Sequence, residues 1–255
     1  MRQIKLWLMM LLISTLIACA STPKEIEQVK KDKKAAKLNV ELASGYMKRG
    51  DFQVAQEKLE KAIVFDNTYV PGFTTLAVLM NILGNADKAE EYYLKALSLD
   101  ENDPNLQNNY GTFLCGIGKY DKAVELFEKT LNNQFYKTPG LVHANIGYCL
   151  LQSESSDFKK IEMHLRAALK IRPNMVTTML AMAELAIKTK KYLMARAYSQ
   201  RFHALTKPSA ESLWVQIQAE HALGDKKYFL KISQALLKKF PESEQAKKLM
   251  DLPKL

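Results

Sequence analysis

Three segments of the chain repeat at a fixed step: GDFQVAQEKLEKAI from Gly50, GNADKAEEYYLKAL from Gly84 and GKYDKAVELFEKTL from Gly118. Each glycine follows the last by 34 residues, and Ala55, Ala89 and Ala123 keep the same step, as do Ala62, Ala96 and Thr130. A period of this length leaves few folds open. One unit holds two antiparallel helices whose apolar faces are covered only when neighbouring units stack. Small side chains at fixed points let the helices approach closely, and Gly with Asp or Lys makes the tight turn between them. Tyr46, Leu59, Met80, Tyr93 and Phe127 supply the bulk that fills the space between helices. No alternating apolar–polar pattern of a strand competes.

The pattern continues with changes. HANIGYCLLQ (His143–Gln152) opens a fourth unit, and its turn, SESSD, is longer by about two residues, an insertion that falls after Cys149. Lys190-Lys191 stands where a fifth unit needs its turn glycine, and Gly224-Asp225 restores the turn in a sixth. Prolines 104, 173, 208 and 241 fall where helices start or end. The period is that of the tetratricopeptide repeat. The expected fold is all-α: a right-handed tetratricopeptide-repeat solenoid of about six helix-turn-helix units. They lie near residues 36–69, 70–103, 104–137, 140–173, 176–209 and 210–243, and a C-terminal capping helix in ESEQAKKLMDL closes the stack.

The start of the chain is of another kind. Arg2 and Lys5 precede an uncharged run, Leu6–Ala18, whose 13 residues are too few to span a bilayer as a helix. A positive head, a short apolar centre and a small-residue exit form an export signal. Its end, Leu16-Ile17-Ala18-Cys19, resembles the bacterial lipobox, in which the cysteine is acylated before cleavage. That resemblance implies a signal peptide over 1–18, lipid attachment at Cys19, and a lipidated N-terminus and basic tether over 19–35. Two or more acyl chains anchor stably where one does not. Ala20 stands where an Asp favours inner-membrane retention in enterobacterial lipoproteins, which directs the expectation to the periplasmic face of the outer membrane.

The rest of the chain, residues 36–255, has the composition of a folded domain, with 47% hydrophobic and 25% charged residues in the whole sequence. Formal charge is +10, and a pI near 9.3 ordinarily raises nucleic acid as a partner. No nucleic-acid-binding motif is present, and an exported protein meets little of it, so anionic lipid or an acidic partner segment fits the charge better. The charge is also uneven: KEIEQVKKDKKAAK (Lys24–Lys37) is crowded with lysines, which reads as a solvated tether or a frayed first helix in preference to a specific binding site.

A closer resemblance lies in NNYGTFLCGIGKYDKAVELFEKTL (Asn108–Leu131), HANIGYC (His143–Cys149), RFHALTKPSAESLWVQIQAEHALGD (Arg201–Asp225) and KKFPESEQAKKL (Lys238–Leu249). These runs resemble the type IV pilus biogenesis and stability lipoproteins, the pilotins of the pilus secretin. The resemblance implies a monomeric outer-membrane protein that binds the secretin subunit and promotes its targeting and multimerisation. No cofactor is implied beyond the covalent lipid. A second reading, from the repeat alone, is an envelope scaffold for outer-membrane protein assembly or for regulating cell-wall synthesis.

The face for such a partner is expected on the first helix of each unit: Val40, Ser44, Met47, Thr74, Val78, Asn81 and Ile82, then Asn105, Asn108 and Thr112. Val40, Met47, Val78 and Ile82 would make an apolar groove there. Cys115 and Cys149 lie 34 residues apart on first helices of adjacent units. They are either a disulfide or two small buried thiols, and removing Cys19 to lipid leaves an even pair, which favours the disulfide. Catalysis is not expected: His143, His164, His203 and His221 are scattered without metal-ligand spacing, Glu184 is an isolated carboxylate, and no nucleophile or phosphate motif is present.

Overall fold

Every helical hairpin needs a point where the chain leaves one helix and starts back, and a left-handed residue does this at least cost when it has no Cβ. Gly50, Gly84, Gly118 and Gly224 all take positive φ, between 70° and 83°. At each, the following amide closes back onto the carbonyl five residues earlier: Asp51 onto Tyr46 (3.0 Å), Asn85 onto Met80 (2.9 Å), Lys119 onto Leu114 (2.8 Å) and Asp225 onto Glu220 (3.1 Å). Lys190 adopts the same conformation (φ 57°), with the Lys191 amide 2.8 Å from the Ala186 carbonyl. The turn geometry is kept where the glycine is lost.

The computed structural model describes residues 22–153 and 155–253, in which 13 helices and no strand are found. The chain divides into two compact units, at Glu101 and Asn102. The first holds α1 (Pro23–Arg49), α2 (Phe52–Phe65), α3 (Val70–Ile82) and α4 (Ala86–Leu99). The second holds α5 (Pro104–Gly116), α6 (Tyr120–Asn132), α7 (Pro139–Gln152), α8 (Phe158–Ile171) and α9 (Val176–Lys188). It continues with α10 (Tyr192–Leu205), α11 (Ala210–Ala222), α12 (Lys226–Lys239) and α13 (Glu244–Met250). The fold is all-helical, of tetratricopeptide solenoid type: α1 to α12 pair as six hairpins, and α13 packs on α11 and α12. The signal segment and Cys19 lie outside the described residues.

The small positions of the repeat are the closest-packed ones. Ala55, Ala62, Ala89, Ala96 and Ala123 are fully buried, and so is Thr130, whose hydroxyl donates to the Leu126 carbonyl at 2.9 Å and so needs no other partner. Leu59, Tyr93 and Phe127 are buried one turn from them, and burial pushes the Tyr93 phenol above its ordinary range. Ala246 of α13 is fully buried in a cluster with Leu213, Ile217 and Leu236, so the last helix covers apolar surface of α11 and α12.

Of the basic segment, expected as a solvated tether or a frayed first helix, the described residues from Pro23 are helical. α1 begins at Pro23, where proline loses no hydrogen bond, and Thr22 and Glu25 cap it reciprocally: the Glu25 amide donates to Thr22 Oγ1 (3.3 Å) and the Thr22 amide to Glu25 Oε2 (2.7 Å). Among the described side chains Ala36 is the first to be fully buried, about three turns into α1.

Candidate functional site

First helices stand side by side within each unit: α1 beside α3 in the first, and α5, α7, α9 and α11 in succession in the second. Residues of these helices that are not spent on packing form a face. In the first unit the residues expected to line an apolar groove differ in exposure. Val40 is 9% exposed and belongs to the core, contrary to the expectation of an open position, because its side of α1 is the one that carries the buried Ala36 and Ala43. Thr74 is also buried, and its hydroxyl donates to the Val70 carbonyl at 3.0 Å. Ser44 is half-buried and donates to the Val40 carbonyl at 2.9 Å. Met47 and Val78 are half-buried; Asn81 and Ile82 are open to solvent, Ile82 beside the exposed Leu83.

In the second unit the face is polar. Asn105 is exposed, its amide held by the Asp103 cap at 2.7 Å. Asn108 is buried, and Thr112 is exposed with its hydroxyl donating to the Asn108 carbonyl at 2.9 Å. The residue that joins them is one the repeat pattern did not single out. The Asn145 amide on α7 donates to Asn108 Oδ1 (3.0 Å) and lies 3.3 Å from Thr112 Oγ1, so three polar side chains bridge α5 and α7. Asn108 stands three residues before Gly111 and Asn145 two before Gly147, so no shared spacing in the sequence marked the pair.

Cys115 and Cys149 form a disulfide across the same seam, their Cα atoms 5.7 Å apart. The structural reason differs from a repeat-equivalent pairing. A Cβ on Gly111 would lie 2.8 Å from the Phe127 ring and one on Gly147 2.5 Å from Leu165, which marks these two glycines as equivalent close approaches. They are 36 residues apart, so two extra residues precede Gly147; the insertion does not fall only after Cys149. Cys115 follows its glycine by four positions and Cys149 by two. On a helix those offsets point about 200° apart. One thiol therefore faces forward and the other back, as a bond between adjacent helices requires.

The histidines are not all scattered. His143 on α7 and His164 on α8 place Nδ1 atoms 3.0 Å apart, one ring donating and the other accepting. His164 is 6% exposed, and burial, with His143 and Lys160 beside it, holds its pKa down to about 4. His203 contacts Ser212 Oγ at 2.9 Å, and His221 reaches the Pro253 carbonyl at 2.9 Å. Among the described residues no three His, Cys, Asp or Glu side chains converge as a metal would require. Glu184 is half-buried on α9, and burial, then Glu211, raise its pKa against the opposing Lys188. The strongest charge constellation is structural: Arg196 of α10 donates through Nε to the fully buried Glu220 (3.0 Å) and through Nη2 to Asp225 (3.1 Å), with a second contact to Glu220. Asp225 also caps α12 through the Tyr228 amide at 3.1 Å. The arrangement as a whole offers a ridged helical face with a rigid cystine seam. Helical-repeat faces of this kind are suited to holding an extended or helical segment of another protein.

Comparison with known proteins agrees with this geometry. Tetratricopeptide repeat models match residues 74–103 and 92–125. The sequence is 27% identical over 187 residues, 73% of each chain, to the type IV pilus assembly protein PilF of Pseudomonas aeruginosa. An uncharacterized protein of Haemophilus influenzae is 32% identical over 123 residues, 48% of this chain and 69% of that one. The solved structure of Pseudomonas aeruginosa PilF matches with a TM-score of 0.78 at 25% identity, over 87% of this chain and 99% of that one. PilW, a widely conserved type IV pilus biogenesis factor, shares the fold with a TM-score of 0.78 at 24% identity, over 84% and 98% of the two chains.

Proposed function

We propose, from the premise that this chain is a tetratricopeptide-repeat protein of one family with the Haemophilus influenzae protein and related to the type IV pilus assembly protein PilF, that it is an outer-membrane lipoprotein serving pilus assembly. It is anchored through acylated Cys19, binds the pilus secretin subunit, and promotes the targeting and multimerisation of that subunit in the outer membrane. The observation that carries this reading is the relation to PilF, which extends over 73% of both sequences and 99% of the solved PilF chain. The lipobox-like Leu16–Cys19 and the pilotin-like runs around Asn108–Leu131 and Arg201–Asp225 add the anchor and the partner. The work is done by binding. The polar bridge of Asn108, Thr112 and Asn145, beside the Cys115–Cys149 cystine, holds α5 and α7 in one fixed register, and a rigid face binds with less ordering cost.

A strain lacking the protein tests it. Secretin multimers in its outer membrane are expected to fall severely and pili to be lost. The wild-type gene restores both, whereas Cys19→Ser restores neither in full. Normal outer-membrane multimers in the deletion strain would overturn the proposal.

A further inference from the structure

In the first three turns of α1 no described side chain is buried, and all but Asp32 and Ala35 are exposed, which a repeat domain does not require. They carry Lys24, Lys30, Lys31, Lys33, Lys34 and Lys37. The carboxylates among them are engaged locally: Glu25 in the Thr22 cap, Glu27 with Lys31 at 2.9 Å, and Asp32 with the Gln28 amide at 3.0 Å. Charge reverses beyond this stretch. Residues 22–37 hold six lysines against three carboxylates, whereas residues 38–101 hold six lysines and arginines against ten carboxylates. The first compact unit is thus a basic rod on an acidic body. Further along the same helix, Leu38 and Leu42 are 54% and 41% exposed, three to four residues apart in line with Lys31 and Lys34 and opposite the buried Ala36, Val40 and Ala43.

From this we propose that the projecting half of α1 docks on an anionic phospholipid surface, its lysines on lipid phosphates and Leu38 and Leu42 in the headgroup layer. The inference rests on the anchor at Cys19. Only Ala20, Ser21 and Thr22 separate that residue from Pro23, a reach of about 14 Å at full extension. The helix therefore starts at the bilayer. The field of an anionic surface decays over about 8 Å at physiological salt. Standing upright, α1 would carry Lys37 about 20 Å further out, beyond that layer. Lying along the surface with Leu38 and Leu42 facing it keeps Lys24, Lys30, Lys31 and Lys34 inside that layer, and each lysine there strengthens binding about fivefold. The acidic body is repelled by the same surface, so the charge reversal orients the unit basic side down.

The test uses the chain from position 19 onward carrying Cys19→Ser, which keeps every described residue and removes the acyl chains. Its co-sedimentation is measured with vesicles of phosphatidylcholine alone and of phosphatidylcholine with phosphatidylglycerol. Binding to the second, lost on raising salt, is expected, with little to the first. Changing Lys30, Lys31, Lys33 and Lys34 to Gln is expected to weaken it at least about tenfold, and Leu38→Ser with Leu42→Ser to weaken it further, with circular dichroism unchanged. The basic α12 is the internal control: Lys226→Gln, Lys227→Gln and Lys231→Gln together leave binding as it was. Equal partition to both vesicles, no binding to either, or a loss that follows the α12 lysines overturns the proposal; the first two leave the lysine run to an acidic protein segment. The readout contains no secretin, so its failure is separable from failure of the pilus-assembly reading.

Discussion

Lys190 carries a cost that glycine does not. A side chain at φ 57° brings Cβ against the following carbonyl, worth roughly 1–2 kcal/mol, while glycine gives back part of this through the freedom of the unfolded chain. Lys190→Gly is therefore expected to stabilise the chain by up to about 1 kcal/mol, read as a raised midpoint in urea unfolding. His164 sets a different dependence. Its pKa, about 4 in the folded chain, is near 6.5 when unfolded, so in that window only the unfolded chain takes up the proton. Stability is complete above pH 6.5 and drains away as pH falls toward 4, on the order of 2 kcal/mol from this residue. Urea midpoints across that range should fall in the wild type and fall less in His164→Gln; equal slopes would contradict the assignment. The lysine substitution could be suspected from the missing glycine in KTKKY. The histidine pair could not, because no repeat places His143 against a residue 21 positions later.

At the scale of the helix, the seam between α5 and α7 decides most. A cystine closing 34 residues is worth roughly 3–4 kcal/mol by restricting the unfolded chain. Cys115→Ser with Cys149→Ser is expected to lower stability by about that amount, and reductant should lower the melting temperature of the wild type while leaving the double variant unmoved. The spacing of the cysteines was legible, but the reason they meet was not. Insertions on both sides of α7 displaced the fourth unit by two residues, and the register became visible only where Gly111 and Gly147 admit Phe127 and Leu165. The basic segment before Ala36 was read as a solvated tether or a frayed first helix. From Pro23 it is helical, since Thr22, Pro23 and Glu25 supply a complete start signal and the following residues are good helix formers.

For the molecule as a whole, charge is partitioned between the compact units. Residues 22–101 hold 12 lysines and arginines against 13 carboxylates, and residues 102–255 hold 23 against 14. The basic pI is thus a property of the second unit, with the lysines of α1 balanced by acidic residues in their own unit. A single pI conceals two different electrostatic surfaces.

The sequence alone determined the helical class, the number of hairpins and four of their turns, because a fixed period with glycine at Gly50, Gly84, Gly118 and Gly224 is a local instruction repeated along the chain. It determined too which small residues are fully buried, since Ala55, Ala89 and Ala123 keep their step. Val40, Thr74 and Asn108 keep the same 34-residue step and all three are buried, so the period also marked this first-helix position as core. Which side chains meet across neighbouring helices was decided by tertiary structure, as where Asn145 bridges to Asn108. The Arg196–Glu220–Asp225 cluster and the His143–His164 contact were likewise decided there. Such pairings join different elements through side-chain reach, a distance that no period in the chain encodes.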